Sequence, residues 1–121
     1  MKDAMRTLAT LVLGLLLLAL PAAAQSFVDG IDDLPLMPGL VQTGDSSVFD
    51  SPQGRVVEAL AEGRVPPGAV ATFYARTLSA LGWRRAASAA VYVREGEKLA
   101  IDADPPDARG TVKVRFFLTP E

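Results

Sequence analysis

The stretch from residue 55 to 62 sets Val57, Ala59 and Ala61 against Val56, Glu58, Leu60 and Glu62. Successive side chains on a strand point to opposite faces, so this period of two predicts a strand over 55–62. Ala, Leu and Glu also favour helix, and a helical reading of the stretch stays open. Val48-Phe49 precedes it, with Ser51-Pro52-Gln53-Gly54 between. Proline suits the second position of a turn and glycine the fourth, so the unit reads as a β-hairpin. The period then changes. Val70, Phe73, Tyr74, Leu78 and Leu81 recur at helical spacing, behind Pro66-Pro67 and ahead of Gly82. Prolines fit a first turn and glycine fits a left-handed stop, which predicts an amphipathic helix over 67–81.

Three strands are expected after the helix. The first runs from Trp83 to Arg94, broken near Ala87-Ser88, and Arg94-Glu95-Gly96-Glu97 turns it back. The second is Lys98 to Ala103, with Leu99 and Ile101 alternating against Lys98, Ala100 and Asp102. A loop over 104–110 leads to the third, Thr111 to Thr119. There Val112, Val114, Phe116 and Leu118 share one face, and Thr111, Lys113, Arg115 and Phe117 the other. The whole is an α+β fold: a two-layer sandwich with one amphipathic helix on a mainly antiparallel sheet of about four strands. Val57, Ala59, Val91, Val93, Leu99 and Ile101 would join Val112, Val114 and Phe116 in meeting Val70, Phe73, Leu78 and Leu81.

Ahead of the hairpin, residues 25–46 hold Gly30, Pro35, Pro38, Gly39 and Gly44, which forbid a long helix. Phe27, Ile31, Leu34, Leu36, Met37, Leu40 and Val41 recur among them, unlike disordered sequence. An extended acidic segment results, lying on its own domain or serving as an arm for a partner. Further upstream, Lys2 and Arg6 precede an uncharged apolar run from Leu8 to Leu20, then Pro21 and Ala22-Ala23-Ala24. That is the layout of a secretory signal peptide, with cleavage expected after Ala24. The run is short of the roughly 20 residues a spanning helix needs. The division is therefore 1–24 signal peptide, 25–46 extended segment and 47–121 a single domain, periplasmic or secreted, with no stable membrane insertion after cleavage.

Charge and composition narrow the chemistry. Residues 25–54 carry five acids and no base, 55–94 six arginines against two glutamates, and 95–121 six acids against four bases. A net charge of −2 argues against nucleic acid, whose binding rests on neutralising phosphates. The chain has no His and no Cys. Nucleophilic triads and zinc sites of the usual nitrogen–sulfur kind are thereby excluded, and packing alone must hold the domain. No glycine-rich phosphate loop occurs. We expect no cofactor, no metal and no catalytic residue.

LPLMPGL at 34–40, a short strand, and FYARTLSALGW at 73–83 resemble a pattern in small secreted bacterial envelope proteins. In those, a Pro-x-x-Pro-Gly stretch precedes a Phe-Tyr…Leu…Gly-Trp helix-to-strand unit. Phe73, Tyr74, Leu78, Gly82 and Trp83 carry the match. The resemblance implies a fold and an envelope address, not an activity; most such proteins have no assigned role.

If the helix shields one sheet face, the other would carry Leu60, Tyr92, Ala100 and Phe117, flanked by Lys98, Lys113 and Arg115. A large bare apolar patch usually has a use. The candidate site is Leu60, Tyr92, Phe117, Arg115 and Lys113, docking a protein partner in the envelope. Alternatively the LPLMPGL segment covers that face, with Asp32 or Asp33 near Arg115. A second function is a small-molecule site for an apolar or anionic ligand, between helix and sheet, lined by Tyr74 and Trp83. A remote third is a carboxylate-dependent hydrolase.

Overall fold

The computed structural model describes residues 25–121; the expected signal peptide lies outside them. Seven strands form one antiparallel sheet: β1 (Val41–Gln42), β2 (Ser47–Ser51), β3 (Gly54–Gly63), β4 (Arg84–Arg85), β5 (Val91–Arg94), β6 (Glu97–Ala103) and β7 (Val112–Pro120). One helix, α1 (Ala69–Ala80), lies between β3 and β4. The sheet order is β1-β3-β7-β6-β5-β4, with β2 also paired to β3. β1 and β2 share one edge of β3, and β7, the last strand in the chain, sits in the middle.

This corrects the expected four-stranded sheet sandwiched with a helix. The sheet is wider, and α1 has only 12 residues, a rod of about 18 Å at the usual helical rise. A rod of that length cannot shield seven strands. The segment set apart in the sequence supplies the rest of the cover: Val28, Ile31, Leu34, Leu36, Met37 and Leu40 are buried in the same core as Val70, Tyr74 and Leu78. Its two prolines and its glycines keep it out of helix, so it folds back on itself. The Val28 N–H donates to the Leu34 carbonyl (2.9 Å) and the Leu36 N–H to that of Ser26 (2.8 Å).

The hairpin reading of 46–62 matches β2 and β3, paired from Ser47 opposite Glu58 to Ser51 opposite Gly54. Val57, Ala59 and Ala61 are buried, as the alternation requires. At the far end of β3 the chain runs against the N-terminal segment: a Cβ on Gly63 would collide with the Gly39 carbonyl. The helix stops as Gly82 suggests. Gly82 has φ 88° and donates to the Ser79 carbonyl, and the Trp83 N–H reaches the Leu78 carbonyl at 2.9 Å. These are the two closing bonds of a Schellman ending.

One phase was misread. Val91 and Val93 were expected in the core, and Tyr92 on the opposite face. The turn at 95–96 pairs Arg94 with Glu97, hence Tyr92 with Leu99, and cross-strand partners share a face. Leu99 is buried, so Tyr92 goes inward with it and the two valines turn outward. The strand from Trp83 is also interrupted: only Arg84–Arg85 and Val91–Arg94 pair, with a loop between them.

Candidate functional site

Two surfaces merit attention, one on each side of the sheet. The inner side is fixed first by Tyr74 and Arg94. Tyr74 is wholly buried, its ring edge-on to Phe73 (centroids 4.9 Å apart) and Phe116 (5.4 Å). Its hydroxyl donates to the Pro35 carbonyl (2.8 Å) and accepts from the Met37 N–H (3.0 Å). Burial pushes this phenol up to about 12, against a smaller opposing effect of the Met37 hydrogen bond. Arg94 lies over the Trp83 ring, 4.4 Å from its centroid, and donates to Asp33 through both terminal nitrogens (3.0 and 3.1 Å). It also donates to the Leu81 carbonyl at 3.0 Å, and the Asp33 hydrogen bond raises its affinity for its proton. Both groups tie the N-terminal segment to the helix and the sheet. Segment 28–40 therefore covers the inner face, not the outer one.

The outer face is built from alternate residues of five strands. Glu58, Phe117, Ala100 and Val91 stand in one cross-strand row, and Leu60, Arg115 and Asp102 in the next. Glu62 opposes Lys113 beyond them, and Lys98 lies at the other end beside Thr119. Phe49 sits opposite Val56 at the edge. Phe117, Leu60 and Phe49 are 39%, 46% and 60% exposed. An open groove of about 450 Å³ follows Leu60, Glu62, Lys113 and Arg115, and another of about 520 Å³ borders Val91, Ala100 and Phe117.

Of the five candidate residues, Leu60, Lys113, Arg115 and Phe117 are together on this face, and Tyr92 is buried on the other. The basic rim expected from sequence is mixed. Glu58, Glu62 and Asp102 share the face, and Arg115 approaches Asp102 at 3.6 Å. Arg115 therefore has Asp102 for its carboxylate, while Asp33 goes to Arg94. Val91, Val93 and Phe49 were missed as face residues; counting register through the two hairpin turns would have found all three.

The second surface is a cleft of about 350 Å³ between α1 and the sheet. Val70, Tyr74, Tyr92 and Ile101 form its apolar floor, with Arg85 and Asp102 at its lining. Trp83, expected there, is not among the lining residues; it is engaged under Arg94. Among the described residues, no helix is long and apolar enough to cross a membrane. Compared with known proteins, the chain matches no family model, no curated protein and no solved structure.

Proposed function

We propose that this chain is an exported, non-enzymatic binding domain of a bacterial cell envelope, engaging a protein partner through the outer face of its sheet. One observation carries the reading: the helix and the N-terminal segment both lie on the inner face, so Phe117, Leu60 and Phe49 have no cover from the described chain. A one-sided antiparallel sheet ordinarily turns polar residues to solvent. Exposed aromatic and aliphatic side chains amid mixed charges are instead typical of interface centres, where apolar contact gives affinity and charge placement gives selectivity. The leader-like residues 1–24 and the Phe-Tyr…Gly-Trp pattern support the address.

A photo-crosslinking residue placed at Phe117, in the protein expressed in its own host, tests this. A discrete protein adduct is expected there and not from the same residue at Arg76, which is exposed on the helix. Leu60→Asp should remove the adduct while leaving thermal unfolding within about 0.5 kcal/mol, as an exposed substitution does. No adduct at Phe117, or equal adducts at both positions, overturns the reading.

A further inference from the structure

The cleft on the inner side has features that packing does not require. β5 is four residues long and begins only at Val91, opposite Ala100, whereas the antiparallel β6 runs on past that point to Ala103. The Ile101 N–H donates to the Ala90 carbonyl (3.0 Å) and the Asp104 N–H to Lys113 on the opposite side (2.9 Å). Backbone groups alternate edges along a strand. The N–H and C=O of Ala103 therefore face the side that β5 has already left. The loop that takes the place of further strand is Ala86 to Ala90, and Ala90 is held at φ 60°, a region L-residues avoid. Strained backbone of this kind is often found beside binding sites. The helix stands off from this gap, and the result is the 350 Å³ cleft floored by Val70, Tyr74, Tyr92 and Ile101.

Its volume falls within the range of small-molecule sites. At the roughly 30 Å³ that a small group occupies in a liquid, it admits about a dozen non-hydrogen atoms. The polar lining is one-sided in availability. Asp102 is drawn toward Arg115 across the strand pair, at 3.6 Å. Arg85 also lines the cleft, and among the described residues no carboxylate lies within salt-bridge distance of it. A planar guanidinium matches one carboxylate through two parallel hydrogen bonds. The Asp102 side chain is turned to the outer face with Arg115, so Arg85 is left as the charged group of the cleft, with room for one such carboxylate.

We propose that this cleft binds a short apolar chain bearing a single carboxylate, its tail on the Tyr92–Ile101 floor and its head on Arg85. The site is separate from the outer face and does not depend on it. Octanoate is the probe, followed by calorimetry and by amide shifts of the isotope-labelled 25–121 chain. Saturable binding is expected, with shifts centred on Tyr92, Ile101 and Ala103. Arg85→Gln should weaken it about tenfold, the usual consequence of losing a charge-assisted pair. Octan-1-ol should bind correspondingly less well than octanoate. Ala71→Phe, at an exposed position on the cleft's helical wall, should block it; Ala89→Trp, from the loop, does the same should the helical variant fold poorly. The proposal is overturned by no saturable binding, by shifts centred on Phe117, by binding that survives both blocking variants, or by octanol binding equally with Arg85→Gln silent.

Discussion

The Tyr74 hydroxyl joins the helix to the N-terminal segment through two hydrogen bonds, one given to Pro35 and one taken from Met37. Tyr74→Phe keeps the ring packing and leaves a buried carbonyl and a buried N–H unpaired. The cost should be about 1–3 kcal/mol, or a melting temperature lower by roughly 4–8 °C per kcal/mol in a domain this size. Its pH dependence is distinctive. The folded phenol is pushed up to about 12 from an ordinary 10.0, so the unfolded chain ionises first as pH rises. The contribution is therefore whole below the unfolded value and is lost progressively between it and the folded one. Urea unfolding should show the gap between wild type and Tyr74→Phe narrowing by about 1 kcal/mol between about pH 8 and about pH 11. A constant gap would mean that the hydroxyl is not held as described.

At the level of elements, the strands around the hairpin, the helix and the final strand were legible because their burial is one-sided. Val112, Val114, Phe116 and Leu118 on β7 obey a strict period of two, and Val57, Ala59 and Ala61 on β3 follow it too, with Val56 at the strand's start buried besides. The helix spacing was equally plain, with Leu78 and Tyr74 deepest and Phe73 only partly buried. β5 was misread because Val-Tyr-Val alternates equally well in either phase; only the turn decides, by pairing Arg94 with Glu97. This single slip moved Tyr92 into the candidate site and the valines out of it. The fate of 25–46 was not legible in any period, since irregular segments bury residues by shape. One crossing in that segment makes a prediction. Gly63→Ala forces the Gly39 carbonyl away from β3 and should destabilise by about 1–3 kcal/mol, the range for overpacked sites. Glu62→Ala, one residue earlier on the outer face, should fall within about 0.5 kcal/mol in the same denaturation assay.

Across the whole molecule, the two faces of the sheet divide the work. The inner face holds the fold together and leaves one gap where β5 stops short. On the outer face Leu60 and Phe117 are exposed, so exchanging them should cost little stability. The charges follow the same division: Asp33 and Arg94 lock the inner side, while Glu58, Glu62, Asp102, Lys113 and Arg115 are arrayed on the outer. Removing β7 by ending the chain at Gly110 should abolish cooperative unfolding altogether, not merely lower its midpoint, because β3 and β6 lose the strand that joins them. A truncated chain with a sharp sigmoidal transition would contradict the strand order.

That central place of β7 bears on when the chain can fold. Ala59 finds its neighbour in Phe116, far along the sequence, and closing so long a loop is slow. Until the C-terminal strand arrives, the sheet is two separate three-stranded pieces, β1 and β2 on β3 and β4-β5-β6, with an open seam between them. A polypeptide of this design closes its sheet only once residues 112–120 are available, so every shorter length of it lacks the strand that joins its two halves.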